Sequence, residues 1–446
     1  MLSSSKSAEL SITYSSPGAL QPFSHNARTH SKRQIRQIAE SIKAFGFTNP
    51  ILIDGNNTII AGHGRVQAAK LLGMEQVPTV RLENLTEDQI RAYVLADNRL
   101  AESAGWSKSI LAIEFQHLLK IETDFDISVT GFEIAEIDLI LGAAEPKPEA
   151  DDAFQPLEGP AITQAGDLWL LADHRLLCGD ALDEKSYATL MAGRAADVAF
   201  VDPPYNVKID GNVAGHGAVY YREFATAVGE MTEAEFTSFL TTSLSFLAKY
   251  SKNGSVHFVC QDWRHMAELL AAGKKAYHEL LNVCVWAKDN GGLGSFYRSQ
   301  HEMVFVFRNG NSRHLNNIQL GVYGRNRTNV WRYPRAATLS RRGAEDNLLA
   351  LHPTAKPVAL VADALQDCSR RGDVVLDTFL GSGTTLMAAT RVGRICYGME
   401  LDPLYIDTAI RRWQQHTGER VIHTSSGKAF DEIAMEVVRG SIQAGG

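Results

Sequence analysis

The residues Asp202-Pro203-Pro204-Tyr205 have the types and the order that chemistry on an amino group needs. They follow an apolar run at residues 197–201, and two successive prolines fix two φ angles and remove two N–H donors, so the backbone is rigid where the strand ends. The amine of a nucleobase is a poor nucleophile because its lone pair is delocalised into the ring. The Asp202 carboxylate and the Pro203 carbonyl can accept its two hydrogens, and Tyr205 offers a ring on which an extruded base can stack. The motif predicts direct transfer to such an amine.

A second motif is glycine-rich and spans residues 379–385, after an apolar run that ends at Asp377. Such a turn at the carboxyl end of a parallel strand lets the backbone approach a ligand and points helix N–H groups at it. The next strand-like run ends at Glu400, whose carboxylate is placed to bind both hydroxyls of a ribose. Asp180 follows another strand-like run and could accept from an adenine amino group, although a turn-initiating aspartate is an equal explanation. Because no lysine follows Gly383, a Walker-type phosphate loop is disfavoured. We predict a nucleotide-like cofactor, and an ordinary tight turn is the alternative.

The second half of the chain has the pattern of an α/β domain. Residues 143–162 hold prolines and acids and little that could form a core, which predicts a linker. After it, short apolar runs alternate with helical stretches, so we expect a mostly parallel sheet with helices on both faces. This domain is predicted at residues 163–425, and residues 426–446 are predicted to be a C-terminal tail.

The N-terminal part has a different order of elements. Residues 1–24 are serine-rich and predict a flexible tail with one short strand near Leu10–Tyr14. Residues 31–45 have apolar side chains three and four apart, followed by a glycine, which predicts an amphipathic helix. Strand, turn and strand follow, and Gly62-His63-Gly64-Arg65 opens the next helix. We expect a smaller α+β domain at residues 25–142.

Composition limits the class of protein. The chain has 446 residues, 45% of them hydrophobic, which predicts at least two packed domains. No stretch reaches the ~20 apolar residues of a membrane span and the start lacks the apolar core of a signal peptide, so we expect a cytoplasmic location and no membrane partner. The five cysteines lie far apart, with no histidine at zinc-ligand spacing, so no metal site is expected. The net charge is −7, yet eight arginines and no acids lie between Arg308 and Ala344.

Five ordered motifs resemble those of the amino-group DNA methyltransferases of the permuted beta group, in which the DPPY motif precedes the FxGSGTT motif. The likeness covers about residues 166–412, including the run 286–302 and the tract 352–357, while Thr378 stands where the family usually has proline. It implies a Rossmann-like fold that binds S-adenosyl-L-methionine and methylates DNA after base flipping. The cofactor-binding residues predicted on this basis are Asp180, Asp377, Phe379, Gly381, Ser382, Gly383, Thr384, Thr385, Glu400, His352 and Lys356.

The same resemblance places target recognition between residues 308 and 350, which is the arginine-rich stretch. Arginines there could contact phosphates or guanine edges, and Asn326, Asn329 and Trp331 could contact bases. A solvated basic loop is the alternative. The arginines predicted to bind DNA are Arg325, Arg327, Arg332 and Arg335.

Residues 26–98 resemble the ParB/sulfiredoxin-type domain, in which the loop before a helix binds nucleotide phosphate. Gly62, Gly64 and Arg65 fit such a loop. The partition proteins have a glutamate and a second arginine there, whereas this chain has His63 and only Arg65, so nucleotide hydrolysis is not expected. A binding or docking domain without chemistry is an equal alternative, in which His63 caps the loop.

These observations predict a site-specific DNA methyltransferase acting on adenine N6, because the DPPY form is commoner among adenine-N6 enzymes and SPPY among cytosine-N4 enzymes. Cytosine N4 stays open, and related motifs also serve RNA bases and protein glutamine amides. A different class, a non-enzymatic ParB-like DNA-binding or partition factor with an inert methylase half, is the other alternative. The expected partner is double-stranded DNA. A homodimer and a partner restriction endonuclease are weaker expectations.

Overall fold

The computed structural model describes residues 10–103, 105–120, 126–144, 160–206, 229–289, 291, 296–318, 327–333 and 356–444. The chain divides into two compact units, Met1–Pro146 and Lys147–Gly446, here called the N-terminal and C-terminal units. Within the described residues, no helix is both long enough and apolar enough to cross a bilayer.

The first part of the N-terminal unit is a small mixed sheet with two helices. Its elements are β1 (Ile12–Ser15), α1 (Lys32–Phe45), β2 (Ile51–Ile53), β3 (Ile59–Ala61), α2 (His63–Leu71) and β4 (Val77–Arg81). Across the described part of this unit, the strands lie in the order β1-β4-β2-β3, with only β4 and β2 parallel. Ile51, Ile59 and Val66 meet in its core.

Strand β1 confirms the short strand predicted near Leu10–Tyr14, but its pairing corrects the prediction that this strand lies in a flexible tail at residues 1–24. Ile12–Ser15 pairs with β4, and the Thr13 hydroxyl lies 2.9 Å from that of Thr79. Ile12 is 60% exposed and Tyr14 is 66% exposed. Because backbone pairing and not apolar burial holds this edge strand, its sequence carries little hydrophobic pattern from which to predict a place in the sheet.

The second part of the N-terminal unit is helical. It contains α3 (Glu87–Ser103), α4 (Lys108–Lys120), a 3₁₀ turn (Ile127–Thr130) and α5 (Ile134–Ala144). Phe115 of α4 and Ile137 of α5 are buried in a core of their own, separate from that of the sheet. The Phe115 ring meets the Phe132 ring edge to face, with 5.2 Å between centroids. The α4–α5 pair therefore packs as a distinct helical hairpin.

The C-terminal unit is built on one mixed sheet. Its strands are β5 (Leu168–Leu171), β6 (His174–Cys178), β7 (Ala196–Val201), β8 (Ser251–Gln261), β9 (Glu279–Ala287), β10 (His301–Arg308), β11 (Val330–Arg332), β12 (Val374–Asp377), β13 (Ile395–Glu400) and β14 (Val421–His423). Its helices are α6 (Glu184–Met191), α7 (Glu233–Lys249), α8 (Met266–Ala276), α9 (Val358–Cys368), α10 (Thr384–Arg391), α11 (Pro403–Thr417) and α12 (Phe430–Ala444). In the described part of the unit, the strand order is β11-β9-β10-β8-β7-β12-β13-β6-β5-β14.

The central strands of this sheet, from β8 through β7, β12 and β13 to β6, are parallel, and antiparallel pairs flank them on both sides. Helices cover both faces. Val201 and Leu376 pack on the face of α6, α7 and α8, whereas their neighbours Phe200 and Val375 pack on the face of α9, α10 and α11. The α/β fold predicted from the alternating apolar runs is confirmed.

The last residues correct a second prediction, because most of the expected tail at 426–446 is structured. Strand β14 pairs with β5, and α12 follows it. Phe430 is fully buried, with its ring centroid 5.1 Å from that of Trp169. The helix has one buried side and an exposed remainder, so a short amphipathic period and not a long apolar run marks it in the sequence.

Candidate active site

The carboxyl ends of the central parallel strands meet at one edge of the sheet, and the predicted site residues lie there. In spatial order from β8 to β6, these strands end at Gln261, Val201, Asp377, Glu400 and Cys178. The chain continues from β7 to β8 on one side and from β12 to β13 on the other, so the strand order reverses between β7 and β12. A reversal of this kind opens the crevice in which open α/β sheets bind ligands.

The catalytic turn that follows β7, residues 202–206, is fixed by its last residue, Asn206. Asn206 has φ 52°, in the left-handed region that asparagine tolerates better than most residues. Its side chain donates to the Met231 carbonyl at 2.8 Å and accepts from the backbone N–H groups of Gly229 at 3.1 Å and Met231 at 3.2 Å. Asn206 was not predicted to have a role, and these contacts show that it holds the turn in place.

Lys356 lies against the catalytic turn and contacts the side chains of both Asp202 and Tyr205. Its Nζ is 2.6 Å from Asp202 Oδ2 and donates to the Tyr205 hydroxyl at 3.0 Å. The Tyr205 hydroxyl donates to Asp202 Oδ1 at 2.7 Å. Only 4% of Lys356 is exposed, so its charge depends on these partners for compensation.

Glu302 and Lys288 complete this arrangement from β10 and from the residue that follows β9. Glu302 Oε2 is 2.8 Å from Lys356 Nζ, and Glu302 Oε1 is ion-paired with Lys288. Asp202, Lys288, Glu302 and Lys356 are here called the charge cluster. With two carboxylates and two ammonium groups, the cluster is neutral overall and can stay charged in a largely buried place.

The pKa values of the cluster follow from burial and from the neighbouring charges. Burial opposes the ionisation of Glu302, but Lys356 and Lys288 outweigh it and lower the pKa of that carboxyl to about 2. Burial also opposes the charge of Lys356, and the nearby Asp202 and Glu302 outweigh it and raise the pKa of the ammonium group. Burial raises the pKa of Asp202 while Lys356 acts in the opposite direction. Lys356 is thus a fixed cation beside an aspartate that burial alone would neutralise.

The contacts of Lys356 give it a role beyond the predicted one, which stays a prediction. The sequence groups Lys356 with the cofactor-binding residues, but within the described residues its ammonium group has its polar partners in Asp202, Tyr205 and Glu302. The chain entering α9 meets the crevice beside the turn that follows β7. His352, from the same tract, lies outside the described residues.

The glycine loop between β12 and α10 contains two left-handed glycines. Gly381 has φ 55° and Gly383 has φ 87°, a conformation that side chains disfavour. A Cβ on Gly383 would stand 2.9 Å from Cβ of Ala409, so this glycine lets α11 pack closely. A Cβ on Gly381 would meet no atom of the described residues within 4 Å. The loop is therefore packed on the Gly383 side and open on the Gly381 side, where a ligand can approach the backbone.

Carboxyl groups border the open side of this loop. Glu400 accepts from the N–H of Gly381 at 2.9 Å and from that of Asp402 at 3.0 Å. Asp377 accepts from the N–H of Phe379 at 3.0 Å, and burial raises the pKa of Asp377 to about 7. Such a rim fits a cofactor that carries a positive charge and ribose hydroxyls. The other loop residues predicted to bind it stand where α10 begins, namely Ser382, Thr384 and Thr385.

Asp180 borders the same edge beyond β6. Its carboxylate accepts from the N–H of Leu182 at 2.8 Å, which confirms that it initiates a turn. Asp180 also lines a cleft of about 420 Å³, together with Gly179, Ser186 and Leu401. The sequence offered two explanations for Asp180, namely turn initiation and binding of an adenine amino group. They are compatible, since one carboxylate can initiate the turn and border an open cleft.

Arg327 and Trp331 do not have the DNA-contacting positions predicted for them. Arg327 donates to Asp363 at 2.9 Å, to Asp367 at 3.1 Å and to the Tyr333 hydroxyl at 2.8 Å. Its guanidinium lies 5.4 Å from the ring centroid of Trp331, which is 5% exposed. These residues anchor the segment to α9, because a buried guanidinium needs carboxylate partners.

Arg332 keeps the position expected of a DNA-binding residue. It is exposed at the end of β11, which lies beside β9 in the sheet. Asn329 is exposed as well, with its side-chain amide 3.3 Å from the Val283 carbonyl. Three of the residues predicted for recognition lie outside the described part of the chain, namely Arg325, Asn326 and Arg335.

The predicted phosphate loop of the N-terminal unit begins α2. Gly62 has φ 101° and caps the helix, whereas a Cβ on Gly64 would come within 3.0 Å of the Ile38 side chain, so packing explains that second glycine. Arg65 donates to a backbone carbonyl at 2.9 Å. His63 accepts from the Phe23 N–H at 3.2 Å and therefore binds a distant segment, while the start of α2 has no side-chain cap bond, so the capping role considered for His63 stays a prediction.

Three families match successive parts of the chain. Residues 2–99 match the ParB N-terminal domain, residues 109–165 match the ParB-methyltransferase HTH domain, and residues 196–411 match DNA methylase. The last match contains both the catalytic turn and the glycine loop. Fold and site together define a DNA methylase of the N6/N4 type. The chain belongs to the ParB-fused DNA methyltransferases, and the methylase family uses S-adenosyl-L-methionine.

Individual relatives resemble separate parts of the chain. The ParB-like nuclease domain-containing protein YnaK of Escherichia coli (strain K12) is 54% identical over 83 residues, which are 19% of this chain and 95% of YnaK. The Type II methyltransferase M.ScaI of Streptomyces caespitosus is 32% identical over 102 residues, 23% of this chain and 33% of M.ScaI. The match thus spans about a third of the length of that methyltransferase. Among solved structures, PvuII DNA methyltransferase (cytosine-N4-specific) is 15% identical, with a TM-score of 0.40 over 58% of this chain and 89% of its own.

Proposed function

We propose that this protein transfers a methyl group from S-adenosyl-L-methionine to the N6 amino group of adenine in duplex DNA. The observation that carries the proposal is Asp202, a carboxylate held by Lys356 and Tyr205 at the crevice between β7 and β12, next to the glycine loop. The Asp-Pro-Pro-Tyr order supports adenine over cytosine, because this form is commoner among adenine-N6 enzymes.

In this mechanism the catalytic turn makes the amine nucleophilic. Asp202 and the Pro203 carbonyl accept the two hydrogens of the amine, and the Tyr205 ring stacks on the extruded base. Lys356 is a cation and therefore cannot accept the proton, but it favours the ionised form of Asp202. When bound, the cofactor supplies an electrophilic methyl group on a sulfonium. As the nitrogen–carbon bond forms and the sulfur–carbon bond breaks, the amine loses one proton along its hydrogen bond to Asp202, and that proton passes on to water.

Residues on the other side of the crevice would hold the cofactor. Glu400 and Asp180 supply carboxylates for hydroxyl and amino groups, and the open backbone at Gly381 permits close approach. Asp377, at the end of β12, supplies a further buried carboxyl beside the loop. A rim of carboxyl groups suits a cationic donor better than a phosphorylated one.

Assignments outside the crevice are separate proposals. Arg332 is proposed to contact the DNA backbone, with Arg325 and Arg335 from the same segment. Gly62 and Arg65 are proposed to bind a phosphate group at the start of α2. A partner restriction endonuclease is proposed because M.ScaI, one of the relatives, is a Type II methyltransferase. A homodimer is also proposed.

The test is transfer of labelled methyl groups to unmethylated duplex DNA, followed by nucleoside analysis. N6-methyladenine is expected, and N4-methylcytosine would keep the mechanism but change the base. Asp202→Ala should lower kcat by at least about 100-fold with cofactor affinity nearly unchanged, because Asp202 acts on the amine and not on the sulfonium. Wild-type activity in that variant, or label in RNA or protein but not in DNA, would refute the proposal.

A further inference from the structure

A pair of aromatic side chains lies exposed between β9 and β10. Phe296 is 87% exposed and Tyr297 is 83% exposed, with 4.4 Å between their ring centroids. Arg298 follows and is exposed too. A Cβ on Gly291 would stand 3.1 Å from Cβ of Arg298, so the two sides of this connection approach each other closely.

The hairpin places these rings at the edge of the sheet that carries the catalytic turn. Beyond the two strands, Lys288 donates its N–H to the Gln300 carbonyl at 2.9 Å, and the Gln300 side chain donates to the Lys288 carbonyl at 2.8 Å. Lys288 and Glu302, on the two sides of the hairpin, both belong to the charge cluster. Tyr297 is three residues from Gln300, so at most ~11 Å of extended chain separates their Cα atoms.

We propose that Phe296, Tyr297 and Arg298 bind the target duplex beside the extruded base. The aromatic rings stack on the bases that extrusion leaves unstacked, and Arg298 contacts a phosphate. Arg332, at the end of β11 and next to β9, supplies a second cation at the same edge. This inference rests on the proposed function, because it requires duplex DNA at the catalytic turn.

The energetics of base flipping explain why aromatic rings belong there. Extruding a base costs a few kcal/mol of lost stacking and pairing. Stacking of a base on an aromatic side chain recovers part of this cost, and apolar side chains inserted between bases are a recurrent device. Two aromatic rings that stay in water forgo the free energy of burial that a partner would supply.

Duplex DNA fits this surface better than a second copy of the chain. Arg298 follows the aromatic pair in the sequence, and Arg332 lies opposite Ala287 at the end of β9. Phosphates carry the charge that complements these two arginines. The hairpin also carries Lys288 and Glu302, and Glu302 contacts Lys356, which binds the turn that must receive the base. The segment predicted for target recognition, residues 308–350, has fewer arginines available to DNA than its sequence suggests. Arg327 is ion-paired with Asp363 and Asp367 instead.

The test compares the double variant Phe296→Ala/Tyr297→Ala with the wild type on two duplexes that differ only in the base opposite the target. One duplex has a normally paired target and the other a mismatched target, which is easier to extrude. We expect kcat/KM to fall about 10-fold or more on the paired duplex and clearly less on the mismatched one, with unchanged cofactor binding. Met435→Ala is the matched control, because Met435 is 54% exposed on α12 and its loss removes apolar surface elsewhere.

The possible outcomes distinguish DNA binding by Phe296 and Tyr297 from a structural role, from dimerisation and from failure of the proposed function. Wild-type kcat/KM of the double variant on the paired duplex, or an equal loss on both duplexes, overturns the proposal. Loss of cofactor binding would mean that the rings support the fold, which also overturns it. If the wild type is a dimer that the double variant dissociates, the rings bind a second copy and not DNA. If the wild type binds the cofactor but labels neither duplex, the proposed function itself fails.

Discussion

At the scale of single residues, the site depends on keeping a carboxylate ionised in a place that disfavours it. Asp202 lies close to Glu302 through their shared partner Lys356, and two neighbouring carboxylates raise each other's pKa. Without Lys356, burial and Glu302 would both favour the neutral acid, which accepts hydrogen bonds poorly. Lys356 is therefore proposed as a positioning residue, since it acts through Asp202 and Tyr205 and not on the substrate.

Replacing Lys356 should alter the pH dependence of catalysis. In Lys356→Met the pKa of Asp202 should rise. The acidic limb of the pH profile of kcat should therefore move to higher pH by about one unit or more. At pH 7 kcat should fall, while the KM for DNA should change less. The measurement is the pH profile of kcat, with cofactor binding as a check on folding. A merely structural role would lower activity at all pH values and leave the limb where it is.

The matched control is a second lysine–aspartate pair, whose aspartate lies on β7, the strand that leads to Asp202. Lys252 lies 2.5 Å from Asp197 at the opposite end of β7, and Lys252 is 56% exposed. Lys252→Met should change neither the limb nor kcat by more than about twofold, because exposed pairs contribute little. A shift of the limb in this control would show that net charge, and not contact with Asp202, sets the profile.

At the scale of elements, β11 lies in the segment predicted for target recognition and is fixed to α9 by Arg327, which the sequence predicted to bind DNA. Arg327 connects Asp363, Asp367 and the Tyr333 hydroxyl, and Trp331 is buried beneath it. The Trp286 ring N–H adds a bond to the Tyr333 carbonyl at 2.9 Å. β11 is thus fixed by contacts of the residues before and after it.

Two neighbouring arginines should therefore respond differently to removal. Arg327→Ala should destabilise the C-terminal unit on the order of 3 kcal/mol, because two carboxylates lose their partner. Arg332→Ala should leave stability unchanged within about 0.5 kcal/mol but weaken DNA binding and reduce its salt dependence by about one counterion. Urea unfolding and DNA binding at several salt concentrations measure both. Equal stability of the two variants would contradict the anchoring role of Arg327.

The elements that the sequence predicts well are those whose side chains are buried. The central strands form continuous apolar runs, and the acids that follow them reveal the functional edge, because parallel strands end together. The pairing of strand β1 and the presence of helix α12 are harder to predict, since one is an exposed edge strand and the other has a single buried stripe. Lys356 and Glu302 each lie in a motif, but their contact could not be predicted because 54 positions separate them in the sequence. Phe296 and Tyr297 were missed because only the structure reveals their exposure.

At the scale of the whole molecule, the two units have separate cores. The core of the N-terminal sheet, around Ile51 and Val66, shares no residue with the two cores that cover the large sheet. The charge cluster and the glycine loop both belong to the C-terminal unit. A ligand bound at the crevice should therefore stabilise one unit selectively.

Calorimetry of the full chain should resolve this selectivity. We expect two unfolding transitions, because units with separate cores usually unfold separately. S-adenosyl-L-methionine at 100 times its Kd adds about 2.7 kcal/mol to the unit that binds it, which corresponds to roughly 5–10 °C in Tm. Only the transition of the C-terminal unit should move. Val66→Ala, which opens the N-terminal core, identifies the other transition by lowering its Tm alone. A single transition that the cofactor and Val66→Ala both displace would show that the chain unfolds as one body, and a shift confined to the N-terminal transition would place the cofactor in the wrong unit.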